Sequence, residues 1–309
     1  MKRSFGLLVA LMLALSIAAP ALAQDATPEA AESAPPFVTA SGLGLSEFDI
    51  VVTDDGFDVP SSIPAGRYLV NVTNNASDAA AAAFLLPPAD WTLEQVQAAF
   101  APPEGEDAPP PDFGWLYRAP IAGGAGGPPG GTYQAVIDLQ PGRWIVWGDD
   151  PSSPIPLSEV HVTGAMPDTL REITPGVKIT ATSTGTGYDF AIDGEIVAGQ
   201  QLVEFYNKTD QPHFVASLVS PVALTDEMFM SLFMMEEGAT PEPDSGLPSM
   251  EEIVDNPSYI TTISAGTKIW AVMDFQPGYH TLVCFVPDLN SPEGLPHSAE
   301  GMIEQVEVA

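Results

Sequence analysis

Cysteine is nearly absent from this chain of 309 residues, which contains one. A single cysteine cannot form an internal disulfide, although exported proteins commonly pair their cysteines in this way. Cys284 is therefore a buried structural thiol, an intermolecular link or a metal ligand. The count alone leaves these three alternatives open.

Basic residues are also scarce, since nine lysines and arginines stand against 41 aspartates and glutamates. The formal net charge is −32. Nucleic acid and anionic membrane surfaces repel such a protein, so we expect neither as a partner. The charge suits a partner protein with a basic docking surface, a salty environment or an acidic one. The sequence does not separate these, and it does not indicate an oligomeric state.

After residue 23 no apolar run is long enough to span a bilayer. The preceding residues resemble a secretory signal, because Lys2 and Arg3 stand before an apolar stretch that ends in a small-residue cleavage sequence at Ala23. Residues 1–23 are thus predicted to be a signal peptide, and residues 24–36 a disordered linker. We expect an exported protein that is extracellular, at the cell surface or periplasmic.

From Phe37 onward, short runs rich in β-branched and aromatic residues are separated by glycine, proline, asparagine and aspartate. Residues 48–53, 67–73 and 143–147 are examples. Short strands with regular turn signals predict an all-β sandwich or barrel.

The chain also repeats itself. The segment around Asn74 resembles the segment around Asn207, and residues 135–142 resemble residues 271–278, at offsets of 133 and 136 residues. Two matches in the same order at nearly one offset predict two copies of one β domain.

We place the first copy at residues 37–164 and the second copy at residues 165–309. Each copy contains an insertion that begins with a short helical pattern, at 91–100 and at 225–235, and continues as a long loop.

The cysteine lies close in sequence to two other soft metal-binding side chains. Cys284, His297 and Met302 share one loop between the last two strand-like runs, and His213 follows a turn rich in Asn, Asp and Pro in the same copy. Thiolate, imidazole and thioether groups are the ligands that copper selects. The four residues are therefore predicted to form a copper site.

On these residues the second copy, from about residue 175, resembles the cupredoxins, the blue (type 1) copper family of plastocyanin, azurin and the first domain of copper nitrite reductase. Residues 297–302, HSAEGM, have the His-to-Met spacing of plastocyanin, and the Pro-Gly-Tyr before the cysteine strand resembles nitrite reductase. The resemblance implies two tandem Greek-key β-sandwich domains.

The resemblance further implies one type 1 copper, held by Nδ1 of His213, the Cys284 thiolate and Nδ1 of His297, with the Met302 sulfur weakly axial. It implies single-electron transfer to or from a redox partner protein. An apolar shell around the sulfur would tune the potential. The candidates for that shell are Phe214, Phe285, Leu295 and Pro296.

One loop departs from the family pattern. Twelve residues, 285–296, separate Cys284 from His297, and family loops are usually much shorter. We call residues 285–296 the insert. Its turn residues, 287–294, either bulge outward and let the chain return at Pro296, or displace His297 and distort the site.

The first copy lacks all of these ligands. His213 falls opposite Ala80 and Cys284 opposite Gly148, so the first copy is predicted to be a degenerate domain with a structural or docking role. His280 and His161 are interpreted as structural, and the methionines of residues 228–235 as core filler.

We expect no enzyme. Copper nitrite reductases and multicopper oxidases need a second copper, one of whose histidines directly precedes the cysteine, and here that residue is Val283. Two alternatives to electron transfer stay open, namely a copper carrier or sequestration protein and a metal-free β-sandwich binding module.

Overall fold

The computed structural model describes residues 40–101, 113–150, 153, 155–185, 187–233, 235, 245–291 and 294–309. The predicted signal peptide, residues 1–23, and the predicted linker, residues 24–36, lie outside this part of the chain. So do Met234 and much of both long inserted loops. Within the described residues, no helix combines the length and the apolar character needed to cross a membrane.

The described chain consists mainly of β-strands. In the first copy they are β1 (Ser46–Thr53), β2 (Gly56–Asp58), β3 (Ser62–Pro64), β4 (Gly66–Asn74), β5 (Ala80–Leu85), β6 (Ile121–Gly127), β7 (Thr132–Leu139), β8 (Gly142–Trp147) and β9 (Ser158–Thr163). In the second copy they are β10 (Val177–Ser183), β11 (Tyr188–Asp193), β12 (Gly199–Asn207), β13 (His213–Ser220), β14 (Val254–Asp255), β15 (Tyr259–Ile263), β16 (Lys268–Phe275), β17 (Gly278–Val283) and β18 (Ile303–Val308).

Each copy also has the short helix that its insertion predicts, α1 (Leu93–Phe100) and α2 (Asp226–Phe233). The start of α1 is fixed by Thr92, whose hydroxyl accepts from the Gln95 N–H while the Gln95 side chain accepts from the Thr92 N–H. This reciprocal cap satisfies two N–H groups that the first helical turn leaves unpaired. Short 3₁₀-helices cover Ala40–Leu43, Phe113–Arg118, Met250–Glu252 and His297–Glu300.

Two sheets run through both copies. One has the order β11-β10-β12-β16-β7-β4-β1-β2, and the other β18-β17-β13-β15-β6-β5-β8-β9-β3. Apolar residues from both sheets form one buried cluster between them, with Ile50 and Val70 from the first copy and Phe205 and Ile260 from the second. The prediction of an all-β sandwich is confirmed.

The copies join through equivalent strands. β7 pairs antiparallel with β16, so that Ala135 lies opposite Ala271, and β6 pairs antiparallel with β15. Ala135 and Ala271 hold the same position in the repeated sequence. The copies therefore meet across an approximate two-fold axis, as identical subunits do in an isologous dimer.

Small residues allow β5 and β6 to lie against each other near this join. β5 begins with four alanines and β6 is made mainly of glycine and alanine, all of them buried. A Cβ atom on Gly124 would overlap the carbonyl oxygen of Ala82. The backbone spacing at this point therefore requires glycine.

We expect Gly124→Ala to lower the free energy of unfolding by about 1–3 kcal/mol or more, because the added methyl group forces the strands apart. Urea denaturation measures this change. Gly185→Ala is the matched control, since an added Cβ there meets nothing within 4 Å, and its effect should stay below about 1 kcal/mol. Equal effects of the two substitutions would contradict the packing argument.

Asp149, just after β8, links the two copies. Its carboxylate oxygens accept from the Thr262 N–H at 3.1 and 2.9 Å. Burial raises the pKa of Asp149 from 3.8 to about 7, the hydrogen bonds from Thr262 oppose this rise, and the charge of Asp150 adds to it. The neighbouring Tyr259 is half-buried, and desolvation together with the charges of Asp149 and Asp150 raises its pKa.

Because the pKa of Asp149 is higher in the folded state, its contribution to stability is complete below pH 3.8 and is lost as the pH rises to about 7. Asp149→Asn retains an acceptor for Thr262 and tolerates the left-handed backbone at this position, where φ is 60°. The variant should therefore be more stable than the wild type at pH 8 and should lack this part of the pH dependence.

Melting temperatures at pH 5 and pH 8 test this expectation. Asp55→Asn, at an exposed turn between β1 and β2, controls for the loss of one negative charge. Parallel pH profiles for Asp149→Asn and the wild type would show that Asp149 does not titrate in this range.

Candidate metal centre

Three of the predicted ligands meet at one end of the sandwich. His213 is the first residue of β13, Cys284 directly follows β17, and His297 begins a 3₁₀-helix. Since β13 and β17 are antiparallel, with Ala216 opposite Val283, the start of one strand lies beside the end of the other. We call His213, Cys284 and His297 the metal centre.

The ligand atoms converge on the cysteine sulfur. The distance from Cys284 Sγ to Nδ1 is 3.6 Å for His213 and 3.7 Å for His297. The three ligand atoms lie within 4.8 Å of one another, and each side chain is 0% exposed. In the described part of the chain, this is the one group of three or more His, Cys, Asp or Glu residues arranged to hold a metal ion.

Met302 lies next to this group in the chain. It is 0% exposed and belongs to the same apolar cluster as Cys284. Its N–H donates to the His297 carbonyl at 3.0 Å, after a left-handed turn at Gly301 with φ of 103°, a conformation that favours glycine. The role of Met302 as a ligand stays a prediction.

The tautomer of His213 follows from its contact with Thr209. The Thr209 hydroxyl lies 2.8 Å from the Asn207 side-chain oxygen and 3.1 Å from the Gln211 carbonyl, both of which can only accept. Its one proton therefore points to one of these oxygens. Consequently it accepts from His213 Nε2–H, at 2.8 Å, which leaves Nδ1 without a proton and free to bind a metal.

Gln211 sets the tautomer of His297 in the same way. Its amide nitrogen donates to the Asp288 carboxylate and to the Tyr188 hydroxyl, which fixes the orientation of the amide. The amide oxygen, Oε1, then accepts from His297 Nε2, at 3.4 Å, and from the Leu289 N–H, at 3.1 Å. Nδ1 of His297 is again the free nitrogen.

Burial keeps both imidazoles neutral. It lowers the pKa of His213 to about 2, with the charge of His297 as the second cause. It lowers the pKa of His297 to about 4, although Asp288 and Asp210 oppose the change. Neutral imidazole is the form that binds metal.

The thiol of Cys284 is also in an apolar environment. Burial raises its pKa to about 12, and the backbone N–H groups of Phe214 and Val286, which hydrogen-bond to the sulfur, oppose this rise. A positive metal ion favours the thiolate form of such a residue. Two unprotonated nitrogens and one sulfur in a dry site fit a soft metal ion such as copper.

Tyr188 packs its ring edge against both imidazoles. Its ring centroid lies 4.9 Å from that of His213 and 4.6 Å from that of His297. Its hydroxyl donates to Asp210 at 3.1 Å and accepts from Gln211. Both histidine rings are therefore fixed in orientation, by hydrogen bonds at Nε2 and by this aromatic contact.

The insert adopts the first of its two predicted alternatives. Pro287 and Pro296 form an antiparallel bridge, and the Asp288 N–H donates to the Leu295 carbonyl at 2.8 Å. Between them Asp288 is buried against Gln211, whereas Leu289 is 54% exposed and Asn290 is also exposed. The chain thus returns to His297 without displacing it from Cys284.

Thr209, Gln211 and Tyr188 were not identified from the sequence as part of this site. The signal that could have found the first two is a difference between the copies. In both copies an asparagine side chain holds the turn after a long strand, Asn74 by bonds to Asp78 and Gly127 and Asn207 by the equivalent bonds. Thr209 replaces the Ala76 of the first copy, and Gln211 replaces Asp78.

The other histidines have structural partners. His280 Nε2 donates to the Gln276 carbonyl at 2.6 Å, and its Nδ1 accepts from the Ser217 hydroxyl at 2.7 Å. His161 pairs with Glu159 at 2.8 Å on the outer surface. Neither has a free ring nitrogen directed at the metal centre.

Part of the predicted apolar shell does not surround the Cys284 sulfur. Phe214 and Phe285 contact each other, with centroids 6.3 Å apart, and Phe285 stacks on Phe233 of α2 at 4.7 Å. The methionines Met228, Met230 and Met235 pack in the same cluster. They form a layer between α2 and the outer face of the sheet.

The equivalent positions in the first copy carry no ligands. Ala80 begins β5 as His213 begins β13, and Gly148 follows β8 as Cys284 follows β17. Ala80 is buried, and Gly148 has no side chain.

Comparison with known proteins gives no match by sequence, because no defined protein family and no curated protein sequence matches the chain. Solved structures do match. Auracyanin from Roseiflexus castenholzii is 20% identical, covers 43% of this chain and 94% of its own, and has a TM-score of 0.25. A multicopper oxidase from Pediococcus acidilactici is 12% identical, covers 86% and 59%, and has a TM-score of 0.23. A copper-containing nitrite reductase from Thermus scotoductus is 9% identical, covers 85% and 62%, and also has a TM-score of 0.23.

This chain thus spans about three fifths of the oxidase and of the reductase. These identities and TM-scores are low, and the all-β sandwich rests on the strand pairing of the chain itself.

The expectation that the chain is not an enzyme is wrong. The matched structures include an oxidase and a nitrite reductase, which are enzymes. Val283 excludes one way of binding a second copper but has no bearing on catalysis at other positions.

In the metal-free protein we expect both His213 and His297 to carry their proton on Nε2, and ¹⁵N NMR of the imidazoles measures this directly. Thr209→Val removes the acceptor of His213 Nε2–H and should lower the free energy of unfolding by about 1–3 kcal/mol. Thr209→Ser keeps the hydroxyl and should cost about 0.8 kcal/mol, for the lost methyl group. A proton on Nδ1 of His213 in the wild type would contradict the assignment.

Proposed function

We propose that this is an exported cupredoxin-like protein whose second copy binds one copper ion and transfers single electrons. The observation that carries the proposal is the convergence of two unprotonated Nδ1 atoms on the Cys284 sulfur at 3.6 and 3.7 Å. This His₂Cys set is the one that blue copper sites use.

Met302 is proposed as the weak fourth ligand. Its complete burial beside the loop that carries His297 supports this role. An apolar environment excludes the water that would otherwise compete with the thioether for the metal. When bound, copper would supply one-electron redox chemistry, and a His₂CysMet set would make the site type 1.

The protein's own contribution is to hold the ligands still and dry. Thr209 and Gln211 fix the two imidazoles through Nε2, and backbone N–H groups of Phe214 and Val286 point at the sulfur. Such outer hydrogen bonds orient the ligands and tune a redox potential. A site that is fixed before the metal binds changes little between oxidation states.

The proposal extends to the rest of the chain. Residues 1–23 act as a signal peptide, and residues 24–36 as a linker. The first copy, residues 37–164, is a degenerate domain with a structural or docking role. The net charge of −32 favours a redox partner with a basic docking surface, because opposite charges steer association.

Burial of the metal centre supports electron transfer over copper delivery. A carrier must expose its metal to an acceptor, whereas His213, Cys284 and His297 are each 0% exposed. Electrons pass through covalent and packed atoms without such exposure. The geometry thus favours electron transfer over the role of a carrier.

Loading the purified full chain with Cu(II) should give one copper per chain and an intense visible band from charge transfer between thiolate and copper. Cys284→Ser should abolish the band, while His280→Gln, which changes a buried histidine outside the metal centre, should retain it. Met302→Leu should retain copper and alter the band and the reduction potential.

A colourless wild-type protein, in which Cys284 reacts with iodoacetamide at the same rate with and without Cu(II), would reject copper binding at this site. Slow electron self-exchange together with rapid copper transfer to an acceptor would instead assign the role of a carrier.

A further inference from the structure

A tyrosine of the first copy forms a hydrogen bond to the insert. Tyr117, in the 3₁₀-helix Phe113–Arg118, donates from its hydroxyl to the Pro287 carbonyl at 2.5 Å. The two residues are 170 positions apart in the chain. This hydrogen bond therefore connects the inserted segment of the first copy to the ligand loop of the second.

The ring of Tyr117 is held by the first copy. It packs against a buried cluster that includes Phe100, Trp115 and Trp147, and Phe100 stacks on Trp147 with centroids 5.3 Å apart. Because this cluster joins α1 to β8, the hydroxyl of Tyr117 projects from a rigid base.

On the other side, Pro287 is coupled closely to the metal centre. It bridges to Pro296, which directly precedes His297, and the His297 N–H donates to the Val286 carbonyl at 2.9 Å. Gln211 binds the inner side of the insert through Asp288 and the Leu289 N–H. Gln211 therefore holds the insert on the side of the metal centre, and Tyr117 holds it on the side of the first copy.

We propose that Tyr117 is a positioning residue, which fastens the insert over His297 and so makes the first copy part of the wall that closes the metal centre. The effect of Tyr117 on copper retention rests on the proposed function. Its effect on access to Cys284 does not, because it applies to the metal-free protein as well. The pKa of Tyr117 agrees with its position beside the metal centre. Burial is the largest cause of its rise, and the charges of Cys284 and Asp288 add to it.

The first copy has no metal ligands at the equivalent positions. Through Tyr117 it nevertheless has a role at the metal centre of the second copy. It slows the exchange of metal and the entry of solvent and thiol reagents at a site on its neighbour. Electron transfer does not require the insert to open, whereas loss of copper does.

The test measures how fast iodoacetamide alkylates Cys284 in the metal-free, full-length protein under native conditions. Cys284 is the only cysteine and is 0% exposed, so the rate reports opening of the site. Tyr117→Phe should raise the rate by about threefold to tenfold, the change in local opening expected when one hydrogen bond is lost.

Tyr133→Phe is the matched control. Its hydroxyl also donates to a proline carbonyl, that of Pro128 at 2.8 Å, but in a turn of the first copy. This variant should leave the alkylation rate unchanged. Equal rates for Tyr117→Phe and the wild type, or an equal increase in Tyr133→Phe, would overturn the inference.

Two further measurements separate positioning from general stability. Amide hydrogen exchange in Tyr117→Phe should become faster for the peptide that spans 285–297, where the Asp288 and His297 N–H groups are bonded, and should stay unchanged in β4 and β12. The urea midpoint of Tyr117→Phe should fall no further than that of Tyr133→Phe, because each variant loses one tyrosine hydrogen bond to a proline carbonyl. A midpoint well below that of the control, with exchange that is faster throughout the chain, would assign Tyr117 a merely structural role.

With copper bound, Tyr117→Phe should release the metal to a chelator faster by a similar factor. If the wild-type protein binds no copper, the proposed function fails, while the alkylation rates still decide whether Tyr117 closes the site.

Discussion

The turn held by the side chain of Asn207 is the constraint on which the metal centre depends. The amide of Asn207 donates to the carbonyls of Gln211 and Ile263, which ties the turn to β15 and sets where β13 begins. That position brings His213 beside Cys284. Within the same turn, Thr209 and Gln211 bind the outer nitrogens of the two imidazoles, so one buried asparagine organises both the ligand and the groups that orient it.

The first copy shows that the turn is a property of the fold and the ligands are an addition. Asn74 makes the same bonds, but the turn presents Ala76, Asp78 and then Ala80. A scaffold that is stable without ligands can carry them in one copy and omit them in the other. The backbone that positions the candidate ligands is thus common to both copies.

Much of the site was predictable because its residues are rare in this chain. The single cysteine and four histidines restricted the possible metal ligands, and the turn residues of the insert allowed an outward excursion. Thr209, Gln211 and Tyr117 were missed because each acts through side-chain hydrogen bonds, which leave no periodic pattern in the sequence.

The sheets that cross both copies were missed for a related reason, since strand edges pair through backbone groups that carry no side-chain signature. The expectation about enzymatic activity was wrong because it generalised from one residue, Val283.

The pairing of β6 with β15 and of β7 with β16 has a consequence for solubility. Each of these strands is an edge in its own copy and is covered only by its counterpart. Separating the two copies would expose two rows of unpaired N–H and C=O groups on each, which is a template for aggregation. The first copy thus also covers the strand edges of the second, through backbone pairing that is independent of any metal ligand.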